Sequence, residues 1–191
     1  MLHAARQPDY PAEIVLVGCN RSSAAAIARA AAAGIPVCLA DRAATRQRTE
    51  RQLQFAQALH AATVDLVVLA GFDEILTPAF VQAYAGRIVN THPSLLPAFG
   101  GTMHAVDEAL AHGVKVTGCT IHLVTNDLDG GPILLQQCVA IEDTDDAASL
   151  HARIREQEHR LLPAAIRAFA EGRVHIEGHR ARVIASDIAD G

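Results

Sequence analysis

The chain has no tryptophan, and only 4% of its 191 residues are aromatic and 19% charged. So few aromatic rings disfavour the stacking platforms that grip single-stranded nucleic acid. Sixteen Lys and Arg stand against twenty-one Asp and Glu, a formal charge of −5, so the basic footprint of a nucleic-acid binder is missing too. No stretch approaches the eighteen uninterrupted apolar residues that a transmembrane helix needs. Residues 1–11 hold two prolines and no apolar core, so no secretory signal is expected. The four cysteines, Cys19, Cys38, Cys119 and Cys138, are far apart and lack any CxxC spacing. Three sit in apolar runs, where a free thiol behaves as a small hydrophobe. A reduced, cytoplasmic protein without a structural zinc is expected.

What is present points to a packed fold. Half of the residues are hydrophobic, which argues against disorder, and the length suits one domain, 1–191, with residues 1–11 irregular. Short β-branched or apolar runs at 13–17, 35–40, 65–70 and 87–90 read as strands, the third buried on both faces. Ser22 or Ser23 is positioned to cap an alanine-rich helix that stops at Gly34. A polar helix is predicted over 45–60, and Thr77-Pro78 opens another. A helix over 106–112 ends at Gly113, and strands follow at 114–124 and 133–140. Asp143-Thr144-Asp145 then opens a long helix to Glu171, kinked at Pro163, and residues 173–184 alternate weakly as edge strands. Strands alternating with helices give an α/β fold of Rossmann-like, three-layer form with a mainly parallel sheet.

Ligands in such folds bind beyond the carboxyl ends of strands. The strand at 87–90 ends in Asn90-Thr91-His92-Pro93, a carboxamide and an imidazole two residues apart in a segment stiffened by prolines. The amide can donate to a developing oxyanion, and the imidazole can exchange a proton near neutral pH. Asp127-Leu128-Asp129-Gly130-Gly131 reads first as a turn. If Asp129 reached His92, its carboxylate would stabilise the imidazolium.

Ordered motifs add a more specific signal. Leu69-Ala70-Gly71-Phe72, Ile75-Leu76, the run from Gly86 to Pro97, Val114 to His122, Leu128 to Ile133 and Arg153 to Pro163 together resemble the phosphoribosylglycinamide formyltransferase family. The resemblance spans about residues 13–183. It implies formyl transfer from 10-formyltetrahydrofolate to the amine of glycinamide ribonucleotide, with no metal, in a monomer or homodimer. It makes Asn90 and His92 the catalytic pair and Asp129 their carboxylate partner. It lays the folate's pterin ring, beside Asn90, against Asp73, Glu74, Ile75 and Leu76, with Thr125, Asn126, Asp127 and Leu128 completing the pocket. Arg46, or else Arg48, would meet the folate's glutamate tail, and Arg155 and Glu158 the ribonucleotide.

The sequence departs from the family in three places. The family's first strand, its Gly-Ser-Asn phosphate loop and the helix after it have no counterpart, which implies either a start upstream of Met1 or a truncated folate-binding paralogue. Asp73-Glu74 stands where Met-Arg is common, and Gly100-Gly101-Thr102-Met103 replaces a shorter Pro-Gly turn. Formyltetrahydrofolate deformylase is the neighbouring alternative, against which Pro93 stands. The lack of a basic tRNA-binding domain disfavours methionyl-tRNA formyltransferase.

Overall fold

The computed structural model describes residues 1–185; residues 186–191 of the expected domain lie outside the described residues. Among the described residues, eight strands and five α-helices form three layers. Strands β1 (Val17–Cys19) and β2 (Val37–Leu39) pair in parallel as a separate two-stranded sheet. The other six are β3 (Val67–Leu69), β4 (Ile88–His92), β5 (Val116–Leu123), β6 (Ile133–Ala140), β7 (Val174–Glu177) and β8 (Arg180–Val183). They form one sheet in the order β3-β4-β5-β6-β8-β7. The α/β architecture matches expectation. Parallel pairing joins β1 to β2, β3 to β4 and β6 to β8, while β4–β5, β5–β6 and β7–β8 are antiparallel, so the sheet is mixed.

Helices α2 (Arg48–Ala61) and α3 (Pro78–Ala83) cover one face, where Phe55, Val67, Phe80, Val81, Tyr84 and Ile88 form a core. Helix α5 (Ala147–Ala170) covers the other, packing Leu162, Ala165 and Ile166 against Val89, Ile121 and Leu123. Helix α4 (Ala105–His112) joins this side through Val106, which clusters with Cys119, Leu150 and Ile154. Alternate residues of β4 and β5 therefore face opposite layers, as the two-residue period of a strand requires.

The run at 65–70 is covered on both faces as expected: Val67 and Leu69 join the first core and Leu66 and Val68 the second. Thr77 caps α3 by accepting from the Phe80 amide, and Gly113 closes α4 at φ 67°. Two expected caps are displaced. Helix α1 (Ala25–Ala32) starts after Ala24 with no side-chain cap, beyond both Ser22 and Ser23, and the Ser22 amide donates to Asp41 of the next loop. Helix α5 starts after Asp146, which forms a reciprocal capping box with Ser149, while Asp145 is drawn into an ion pair with Arg153. Pro163 lies within α5, which continues past it as one 24-residue helix.

The N-terminal segment is not wholly irregular. It holds a 3-10 turn at Ala4–Arg6, Met1 and Tyr10 pack against the second core, and the Tyr10 hydroxyl donates to the Pro163 carbonyl at 2.9 Å. The strand expected at 13–17 pairs only from Val17 onward. Among the described residues no helix is long and apolar enough to cross a membrane.

Gly118 is fixed by close packing within β5. A Cβ there would lie 2.0 Å from the Gln137 carbonyl oxygen and 2.8 Å from the Leu95 side chain. Gly118→Ala is expected to lower stability by about 1–3 kcal/mol or more, read as a lower urea midpoint; an unchanged midpoint would contradict this packing.

Candidate active site

Strand alternation sends Asn90 and His92 to the Ile88 face of β4 and Thr91 to the α5 face. Antiparallel register sets Asn90 opposite His122 and His92 opposite Thr120 on β5. Four polar side chains are thus neighbours across one pair of strands, and His92, Thr120 and His122 are buried. The Thr120 hydroxyl donates to Ser94 O at 2.7 Å and accepts from the Leu96 amide at 3.0 Å, so it staples the chain leaving β4.

Asp129 joins them from the β5–β6 loop. Its φ of 54° lies in the left-handed region, which Asp tolerates better than most residues. Two glycines let the loop fold back so closely. A Cβ on Gly131 would sit 1.9 Å from Leu123 O, and one on Gly130 would sit 2.0 Å from Asp127 Oδ2. The Asp129 carboxylate lies 3.5 Å from His92 Nδ1 and 3.6 Å from His122 Nε2, and it accepts from the Gly101 amide at 2.8 Å. His92 Nε2 faces the Phe99 carbonyl oxygen at 2.8 Å. Both nitrogens of His92 therefore face oxygen acceptors.

His122 lies in a different setting. Its Nδ1 is 3.1 Å from Leu123 O and its Nε2 is 3.1 Å from Asn90 Nδ2. Burial pushes its pKa down, against the opposing pull of Leu123 O and Asp129. His122 was not singled out as a site residue from sequence. The signal was present in Thr120-Ile121-His122, whose alternation puts the Thr and the His on one face, but it needs the antiparallel register to be read.

The structure brings Asn90, His92 and Asp129 together, and treats the other expected site residues differently. Asp73 does not offer a free side chain. It is held by Arg42 at 2.6 Å, Arg21 at 3.2 Å and Asn20 at 3.1 Å, and its pKa is lowered: burial raises it, and the Asn20 hydrogen bond with the two guanidinium groups more than offsets that. Glu74 is buried against Arg51, whose guanidinium also donates to the carbonyls of Thr45 and Arg46. Ile75 is exposed, Leu76 packs on the first core, and the backbone between them is pinned because Gln52 donates to Ile75 O at 3.0 Å. Arg46 precedes α2 instead of lying on it, Arg48 is its first residue, and both are exposed. Thr125, Asn126, Asp127 and Leu128 form an exposed turn in which Thr125 Oγ1 meets both the Asp127 amide and its carbonyl.

Arg155 and Glu158 stand on α5, across the sheet from Asn90 and His92 and on the side of Thr91. Burial raises the Glu158 pKa, while Arg155 and Thr91 pull it back. A cavity of about 390 Å³ reaches Asp129 from another side, between Leu96-Pro97 and the β7–β8 hairpin with His179, Arg180 and Arg182. None of the expected folate residues lines it.

Two measurements check these electrostatics. Arg51→Met strands a buried carboxylate and should cost about 3–5 kcal/mol in denaturant unfolding, part of which Arg51→Met/Glu74→Gln should restore. An exposed, solvated Glu74 would show almost no cost. Glu158 has a raised folded-state pKa, so the folded protein holds its proton after the unfolded chain has released one. Relative to Glu158→Gln, the parent should lose stability as pH rises from the ordinary value of 4.5 through the raised one, then run parallel. Superimposable pH profiles would contradict the burial.

Comparison with known proteins identifies relatives of this chain. Residues 1–166 match the family model described as formyl transferase. Phosphoribosylglycinamide formyltransferase of Mycobacterium tuberculosis is 49% identical over 173 residues, covering 91% of this chain and 80% of that protein. The crystal structure of glycinamide ribonucleotide transformylase 1 from Symbiobacterium toebii superposes with a TM-score of 0.92 at 43% identity, covering 96% of this chain and 86% of that one. A formyltetrahydrofolate deformylase from Pseudomonas syringae pv. tomato superposes at 0.84 with 27% identity, over 91% of this chain and 57% of that one. The chain belongs to the formyl transferase family, and within it groups with the phosphoribosylglycinamide formyltransferases.

Proposed function

We propose that this chain transfers the formyl group of 10-formyltetrahydrofolate to the primary amine of glycinamide ribonucleotide, a step of purine synthesis. The observation that carries this is the buried meeting of Asn90, His92 and Asp129 in a chain whose relatives bear that enzyme's name. The amine nitrogen attacks the formyl carbon, and the carbonyl π pair moves to oxygen. Asn90 donates one amide hydrogen to that oxygen, and the His92 Nε2–H, released from the Phe99 carbonyl, donates a second. Asp129 holds the imidazolium in place. Collapse re-forms the carbonyl and breaks the bond to the folate nitrogen, which leaves with a proton from His92. The ring recovers the proton that the amine gives up, so the protons balance.

The pterin ring meets the Ile75 and Leu76 side chains and the backbone of Asp73 and Glu74, because both carboxylates are already committed to arginines. Residues 125–128 close that pocket, and Arg46 or Arg48 takes the folate's terminal carboxylates. Arg155 and Glu158 reach the ribonucleotide around the end of β4. The chemistry uses small molecules alone, in the cytoplasm, with the chain a monomer or homodimer and no resident metal.

Incubation with both substrates should yield the formylated amide. His92→Ala should lower kcat by about 10²–10³-fold while the folate Kd moves by less than about threefold. Asp129→Asn should lower kcat and alter its pH profile; an unaltered profile contradicts the coupling to His92. Formate without amide would make water the acceptor, and folate binding with neither product would make the chain a binding protein.

A further inference from the structure

A neutral imidazole has one N–H, and its surroundings decide which nitrogen carries it. Around His122 the charged and titratable neighbours are Asp129 from the β5–β6 loop and His92 from β4, and burial favours the neutral ring. Leu123 O can only accept, so at 3.1 Å it calls for the proton on Nδ1. Nε2 is then a lone pair. At 3.1 Å from it, the Asn90 carboxamide must present its NH2 end. The reverse choice fails at Leu123 O. With the proton on Nε2, Leu123 O would face a bare nitrogen, and Asn90 would have to turn its oxygen inward. Asp129 does not reverse this choice, since 3.6 Å to Nε2 exceeds a hydrogen bond.

We infer that His122 is a positioning residue. Its Nε2 lone pair takes one amide hydrogen of Asn90, so that the other hydrogen is left to point at the oxygen of the transferred formyl group. Without that acceptor the carboxamide can turn over and present its oxygen, a repulsive partner for an oxyanion. Asp129 thus stands between two imidazoles of different duty: His92 exchanges the proton, and His122 sets the polarity of its neighbour. This inference rests on the proposed role of Asn90 as oxyanion donor.

The test combines kinetics with a readout that needs no substrate. His122→Phe keeps the volume and removes the acceptor, and should lower kcat by about 10–10²-fold with little change in the folate KM. His122→Gln, which can return an acceptor oxygen, should recover most of that loss. In an Asn90→Ala background, His122→Phe should cause no further loss, because the group it positions is gone. Additive losses, or equal losses in the Phe and Gln variants, would overturn the inference. In the ligand-free protein, ¹⁵N-detected imidazole spectra should show His122 neutral with its proton on Nδ1. A proton on Nε2 would overturn the inference whatever the activity. Nδ1 protonation in a chain without transferase activity would sink the proposed function and leave the orientation of Asn90 standing.

Discussion

Because β4 and β5 run antiparallel with Asn90 opposite His122, the site is assembled by ladder hydrogen bonds before any side chain makes a choice. Cross-strand neighbours lie close enough to touch without long or flexible side chains. Sliding the register by one residue would turn Asn90 and His92 toward the apolar α5 layer and bring Val89 and Thr91 to the site. Val89, Ile121 and Leu123 oppose such a slip, since each would leave the core that it shares with Leu162 and Ile166. The apolar packing on one face of the sheet thereby enforces the polar constellation on the other. Asp129 completes it because two glycines lie where any Cβ would collide with carbonyl or carboxylate oxygen.

Holding the rest of the molecule to this pair of strands requires a bridge, since β1–β2 shares no hydrogen bonds with the larger sheet. Helix α2 supplies it: the Phe55 ring packs within 3.3 Å of the position of a Gly18 Cβ and also joins the core beneath β3. At the carboxyl ends of the strands the bridge is ionic. Asn20 follows β1, Arg42 follows β2, and both meet Asp73 from the loop after β3. The Arg51–Glu74 pair lies next to it, buried where unpaired charges would be costly. Acidic residues at 73 and 74 thus have a structural use: they knit the split sheet along the rim where substrates would enter.

Much of this was legible in the sequence, for reasons that can be named. Helix stops at Gly34 and Gly113, the Thr77-Pro78 start and the doubly covered run at 65–70 are local signals, and each held. Asn90, His92 and Asp129 came from strand-end chemistry and ordered motifs, and they do meet. Less legible are the features decided by distant partners. Asp145 is taken by Arg153, and the Asp73 and Glu74 carboxylates pair with arginines 31 and 23 residues away. His122 escaped because its significance is a property of pairing, and pairing direction is not written in any one strand.

The three groups around Asp129 also show why one carboxylate can serve two imidazoles without ambiguity. His92 faces acceptors at both nitrogens, Phe99 O and Asp129 Oδ2. His122 faces an acceptor at Nδ1 and the Asn90 amide at Nε2, so a single proton suffices and a second would meet a donor. Hydrogen-bond complementarity thus distinguishes the two rings, while Asp129 lies at nearly the same distance from each, 3.5 and 3.6 Å. A carboxylate placed symmetrically between equivalent rings would share its proton and weaken both roles. Here the Asn90 amide, which lies against His122, breaks that symmetry before substrate arrives, which is the preorganisation that stabilising a transient negative oxygen requires.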